Sequence, residues 1–180
     1  MLKYRKGVLI MKIMIVGYSG SGKSTLAKIL NKKYGVPVLH LDAVHHLPGW
    51  MERPRESEIE IVNEFLNSND SWIIDGNYSK VCEQRRLQES DLIIMMLFGR
   101  FACFLRAYRR YRKYKGKSRP DMAEGCDEKF DKTFRRWLLF GGRKRSRRSK
   151  FDEIKTKYSS KVKVIRNQRE LDEFVKRLED

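Results

Sequence analysis

The run Gly17-Tyr18-Ser19-Gly20-Ser21-Gly22-Lys23-Ser24, with Thr25 next, follows the spacing Gly-x-x-x-x-Gly-Lys-Ser. Glycines let a backbone adopt left-handed angles and come close to an anion. Successive N–H groups then form a concave nest, and a helix beginning at its end adds a positive pole behind it. A phosphate chain suits such a cradle. Lys23 would place a point charge beside the outer phosphates, and the Ser24 hydroxyl would join the shell of a Mg²⁺ ion carried on them. Gly17, Ser19, Gly20, Ser21, Gly22, Lys23, Ser24 and Thr25 are thus the expected contacts of a nucleoside triphosphate, with ATP and Mg²⁺ as the expected pair.

A Mg²⁺-nucleotide site also calls for a carboxylate nearby. Asp75 closes the apolar run Trp72-Ile73-Ile74, and Asp42 closes Val38-Leu39-His40-Leu41. Parallel sheets bind ligands at the carboxyl ends of their strands. Asp75 is expected to reach the metal through a water, and Asp42 to contact an acceptor or serve as general base. Both also fit the role of a loop-capping Asp. His45, His46 and Trp50 offer an acceptor pocket in principle, although such rings more often pack or face solvent.

The elements that must position these groups alternate in type. Short β-branched runs alternate with longer amphipathic ones, which predicts βαβ units and a parallel sheet. Strands are expected at 12–16, 36–41, 72–74, 91–98 and 161–165. The spacing of Leu26, Ile29 and Leu30 predicts a helix over 24–34, stopped by Gly35 and Pro37. Further helices are expected at 57–66 with Ser57 as N-cap, at 100–114, at 127–140, and at 170–178 with Leu171, Phe174, Val175 and Leu178 on one stripe.

The chain has 180 residues, room for one domain, and 41% of them are hydrophobic. Lys and Arg number 40 against 23 Asp and Glu, a formal charge of +17. That excess is concentrated: residues 98–150 hold 19 basic and 5 acidic side chains. The partners are expected to be anionic. No apolar run approaches the length of a membrane span, so no membrane partner is expected. The start lacks a cleavage signature, and Cys82, Cys103 and Cys126 form no C-x-x-C pair. A reducing cytoplasm is the expected location, with no disulfide framework or zinc site.

Four segments taken together, GYSGSGKST, HLDAVHHLPGW, WIIDGNY, and RPDMAEGC followed by an F-D-x-x-F-x-x-W helix, resemble the bacterial DNA topology modulation proteins. These are P-loop proteins similar to adenylate kinase, and the likeness covers residues 11–180. The resemblance implies a three-layer α/β/α nucleotide-kinase fold with five parallel strands in the order 2-3-1-4-5. It implies an acceptor flap at 43–70 and a lid at 115–127, leaving residues 1–10 as an extension, an upstream start or a loose arm. Asp75 falls where adenylate kinases carry the acid of a D-G-F-P-R stretch. Arg106, Arg109, Arg110 and Lys113 share a helix face beside the lid, and Arg119, Arg135 and Arg136 are further guanidiniums for gripping phosphate. Two or three of these seven are expected to act, Arg109, Arg110 and Arg119 foremost. The chain departs from adenylate kinases in two places: Asp75 is followed by Gly76-Asn77-Tyr78-Ser79 with no arginine, and the flap lacks the T-G-D-x-L-R pattern used for AMP. Arg53, Arg55, Arg85 and Arg86 are substitutes that no motif places.

The expected activity is therefore Mg·ATP-dependent transfer of a phosphoryl group to a small acceptor by a monomeric enzyme. Positioning and charge neutralisation carry such a transfer. The alternatives are an ATPase without acceptor, and an ATP-binding protein that modulates DNA topology through its basic face. The second rests on Arg143-Lys144-Arg145-Ser146-Arg147-Arg148.

Overall fold

The fold is taken from a computed structural model, which describes residues 3–5 and 8–179. Five parallel strands form the central sheet: β1 (Lys12–Gly17), β2 (Val38–His40), β3 (Trp72–Asp75), β4 (Leu92–Met96) and β5 (Val162–Ile165). Their spatial order is β2-β3-β1-β4-β5, the 2-3-1-4-5 arrangement expected from the resemblance. Strand β1 is central, pairing Ile15 with Asp75 on one side and Ile94 on the other.

The sheet is covered on both faces, which explains why its strands read as continuous apolar runs. Side chains alternate along each strand, so Ile13, Ile15, Ile73, Ile94 and Met96 enter one core. That core is closed by α1 (Lys23–Tyr34), α5 (Arg100–Tyr114) and α8 (Gln168–Glu179). The predicted stripe Leu171, Phe174, Val175 and Leu178 packs against it. Met14, Val16, Trp72, Ile74, Ile93 and Met95 enter the second core. There they meet α2 (Leu41–His45), α3 (Arg55–Ser68), α4 (Glu83–Glu89) and α7 (Arg145–Lys157). The result is the three-layer α/β/α architecture.

Several boundaries differ from the sequence expectation. Helix α3 starts two residues before Ser57, because the Glu58 N–H already bonds the Pro54 carbonyl at 3.1 Å and closes the first turn. Ser57 therefore lies inside the helix and caps nothing. The helix expected from 127 is α6 (Lys132–Leu139), capped by Asp131, whose carboxylate accepts from the Phe134 N–H at 2.7 Å. Residues 127 and 128 instead pair with Ser118 and Lys115. Strand β2 ends at His40, and the chain turns into α2 with Leu41 driven into the core. Asp42 is thus in the first turn of a short helix, not at a strand end. Helices α4 and α7 have no counterpart in the sequence reading.

The N-terminal extension contributes an antiparallel pair, Lys3–Arg5 with Val8–Ile10. Met1, Leu2, Lys6 and Gly7 lie outside the described residues, so the choice between an upstream start and a loose arm falls partly beyond them.

Candidate active site

The glycine-rich loop leaves β1 at Gly17 and enters α1 at Lys23. Strand β4 runs so close beside it that the Tyr18 N–H donates to the Met96 carbonyl at 3.2 Å. A Cβ on Gly17 would lie 2.2 Å from that same Met96 oxygen, and the residue has φ of 143°. Only glycine fits there. Asn77 grips the same residue with both ends of its amide. Its Oδ1 accepts from the Gly17 N–H at 2.9 Å and its Nδ2 donates to the Gly17 carbonyl at 2.7 Å. Farther along, the Ser21 N–H returns to the Tyr18 carbonyl at 3.2 Å, and Lys23 Nζ donates to that carbonyl at 3.1 Å. Ser21 Oγ is buried, and among the described residues it finds no hydrogen-bond partner.

Two basic side chains brace the loop from outside. Arg106 of α5 donates from Nη1 to the Ser21 carbonyl at 2.7 Å, bonds Gln168 through Nη2, and lies over the Phe98 ring. Arg143 sits 3.9 Å above the Tyr18 ring and donates to the Phe98 carbonyl at 2.8 Å and to Cys103 Sγ at 3.2 Å. Phe151 of α7 meets the same tyrosine edge-on at 5.5 Å. The first residue of the basic run is therefore packed against the phosphate loop, while Arg145, Arg147 and Arg148 are exposed.

Asp75 is buried at the end of β3, and His40 Nδ1 lies 3.0 Å from its Oδ2. Register makes this pair, since His40 stands directly opposite Asp75 across the ladder. Asp42 is exposed and accepts from the Tyr78 hydroxyl at 2.8 Å. Burial first, and then the Asp42 carboxylate, push the Tyr78 phenol far above its usual range, so it stays a donor. Among the expected acceptor residues, His45 Nδ1 lies 2.5 Å from buried Glu58. His46 packs against Trp50, and its buried Nδ1 finds no partner among the described residues. Burial, followed by the neighbouring His45, holds the His46 pKa below its ordinary value. The substitute arginines are committed elsewhere: Arg53 to the Val44 carbonyl, Arg55 to Glu58, Arg85 to Glu89, and buried Arg86 to the Tyr78 and Val81 carbonyls.

The lid arginines divide. Arg110 and Arg119 both reach Glu128, and Arg119 also holds Asp121 at 2.6 Å. Asp121 in turn takes Lys28 of α1 at 2.8 Å, tying the 115–127 segment to the helix that follows the glycine-rich loop. Arg109 is exposed on α5, and Arg135 and Arg136 are exposed on α6. The segment 115–127 also touches residues 46–52, where His46–Leu47 and Met51–Glu52 form a hairpin. The Gly49 N–H donates to the Gly125 carbonyl at 3.1 Å, and Trp50 Nε1 donates to the Asp127 carbonyl at 3.0 Å. On the other side of the loop, Gly22, Thr25 and Ile29 of α1, Arg106, and Leu171 and Val175 of α8 line a cleft of about 560 Å³.

His40 and Asn77 are the site residues that sequence reasoning missed. His40 reads as an ordinary strand residue, and only the β2–β3 register places it on Asp75. Asn77 appears in sequence only where an arginine is lacking.

This strand–loop–helix within a three-layer 2-3-1-4-5 sheet is that of the P-loop α/β proteins. No family model matches the chain. It is 30% identical over 107 residues to a shikimate kinase of Flavobacterium psychrophilum, a match covering 51% of this chain and 61% of that one. The chain thus spans about three-fifths of the length of that curated relative. A solved shikimate kinase structure from Bacteroides thetaiotaomicron is 19% identical, with 93% of this chain and 95% of that one covered at a TM-score of 0.45.

Proposed function

We propose that the protein is an ATP-dependent phosphotransferase acting on a small acceptor held between flap and lid, related to the topology modulation proteins. The observation that carries this reading is the phosphate cradle, with its glycine clamped by Asn77, its buried unpaired Ser21 hydroxyl and Asp75 on the adjacent strand. The likeness to a relative named as a kinase adds support.

The residues fit a triphosphate. Gly17, Ser19, Gly20, Ser21, Gly22, Ser24 and Thr25 supply the nest and hydroxyls, and Lys23 exchanges its Tyr18 carbonyl for phosphate oxygens. The cleft beside Gly22 and Thr25 has the apolar walls a nucleoside needs. Among the described residues no group of three or more His, Cys, Asp and Glu could hold a metal unaided. A Mg²⁺ ion carried on a triphosphate takes one or two protein ligands besides phosphate and water. Ser24, and Asp75 through a water, would hold it, and when bound it neutralises charge on the phosphoryl oxygens.

His40 fixes the rotamer of Asp75. Tyr78 orients the Asp42 carboxylate, leaving its second oxygen for an acceptor hydroxyl as contact or general base. Arg110 and Arg119 reach a phosphoryl group by trading lid carboxylates for phosphate oxygens, and Arg109 is the neighbouring guanidinium available to them. Lid–flap contacts exclude water from the acceptor. A monomeric cytoplasmic enzyme completes the proposal.

The decisive experiment is a phosphoryl-transfer screen of nucleosides, nucleotides and small hydroxylated metabolites with Mg·ATP. Lys23→Ala should lower turnover of the best acceptor by at least about 100-fold, removing electrostatic stabilisation worth roughly 3 kcal/mol. Unchanged turnover in that variant would sink the mechanism. ATP consumption with no acceptor phosphorylated would favour the ATPase reading. The nucleic-acid reading retains the exposed Arg145, Arg147 and Arg148 as its support, since Arg143 is turned inward.

A further inference from the structure

Among the described residues, the large hydrophobic side chains that stand exposed are unevenly placed: five of seven belong to α5, α6 or the residue ending α6. Phe101 is 73% exposed, Leu105 53% and Tyr108 42%. They recur at i, i+4 and i+7, so they form one outward stripe along α5. Trp137 and Phe140 project from α6 and its end, and Phe140 is 61% exposed. The two helices are joined by Phe104, Phe130 and Phe134.

This apolar stripe lies in the most basic part of the chain. Neither α5 nor α6 contains an acidic residue. Arg100, Arg112 and Lys113 are exposed on the helix that carries the stripe. Arg147 of α7 lies 4.4 Å over the Trp137 ring. A soluble surface gains nothing from Phe and Leu in such positions, and exposed apolar clusters of this kind mark interaction sites. A second copy of the chain is a poor occupant, because two surfaces this basic repel. Nucleic acid would meet the charges and could stack on rings, but it leaves Leu105 without a counterpart.

We propose that this face docks on an anionic lipid surface, with Phe101, Leu105 and Phe140 entering the acyl boundary and the flanking Arg and Lys meeting lipid phosphates. A basic helix with Phe, Leu and Trp along one side is the chemistry of interfacial binding. Each basic side chain near an anionic leaflet adds attraction. No helix among the described residues is long and apolar enough to cross a membrane, so the contact is peripheral. The sequence expectation of no membrane partner rests on the lack of a spanning run, which does not bear on peripheral docking.

The test is co-sedimentation of the full chain with vesicles of phosphatidylcholine alone and of phosphatidylcholine mixed with phosphatidylglycerol. Binding to the mixed vesicles is expected, with little to the neutral ones. The double variant Phe101→Ser/Leu105→Ser keeps every charge and should weaken that binding at least about tenfold, while melting temperature and ATP binding confirm its fold. Three results would overturn the proposal. One is no binding to anionic vesicles. Another is equal binding by the double variant, which would mean adsorption by charge alone. The last is a single-stranded oligonucleotide that binds, and loses affinity in the double variant, while vesicles do not.

Discussion

Asn77 has the largest structural consequence for its size in the site. Its amide satisfies both backbone groups of Gly17, the residue at which β1 becomes the phosphate loop. Asn77→Ala should leave a buried N–H and C=O unpaired and cost about 1–3 kcal/mol, read by urea denaturation, while weakening ATP binding. Asn77→Asp keeps the acceptor and loses the donor, so it should fall between the two. His40 acts elsewhere, since it touches Asp75 and not the glycine-rich loop. Arg86 is the opposite case. An arginine near an acceptor site invites a phosphate-binding role, yet its guanidinium is buried, pulled down to about 10 by that burial, and spent on the Tyr78 and Val81 carbonyls. It shapes the loop that follows Asp75.

The elements are held by contacts of uneven visibility. Helix α6 starts at Asp131 because that carboxylate accepts from the Phe134 N–H. Asp131→Ala should cost roughly 1 kcal/mol in a urea melt, the usual loss of an N-cap. The helix expected over 127–140 starts five residues later, because Asp127 pairs with Ser118 and stays outside it. Helix α7 escaped notice for another reason. Its sequence RSRRSKFDEIKTK has two apolar residues, Phe151 and Ile154, too few to show a period of 3.6. In the fold both are used, Ile154 buried in the second core and Phe151 against Tyr18. The inner strands β1, β3 and β4 were legible because both their faces are covered and their apolar runs are long, while the edge strand β5 carries exposed Lys163 and β2 stops at His40.

Across the whole molecule, ion pairs tie distant elements. Lys28 of α1 meets Asp121 of the 115–127 segment, and Lys12 of β1 meets Glu89 of α4. Burial pushes the Asp121 carboxyl up, but Arg119 and Lys28 outweigh it and hold it below its ordinary 3.8. Glu89 is likewise raised by burial and brought lower overall by Arg85 and Lys12. Carboxyls with depressed folded values give stability that is fully present above the unfolded pKa and lost as pH falls through the folded one. The melting temperature should therefore drop below about pH 4, with a smaller drop in Asp121→Asn, beyond a shallower fall that begins at about pH 7 because His46 has a folded pKa below its ordinary value. An identical acid profile in that variant would contradict the assignment.

The sequence by itself determined the sheet, the phosphate loop and the strand ending in Asp75, because each is written in contiguous residues whose spacing is local. It also located the positive charge, within residues 98–150. Only the tertiary structure decided which of those charges look inward. Arg106 and Arg143 brace the loop, Arg110 and Arg119 are neutralised within the lid, and others surround an apolar stripe. The partners of three of those arginines are not local, whereas Arg119 takes Asp121 two residues along. Glu128 and Ser21 lie 18 and 85 residues from the side chains they bind, and Phe98 lies 45 from Arg143. Such pairings are fixed by packing across the sheet and not by any spacing along the chain.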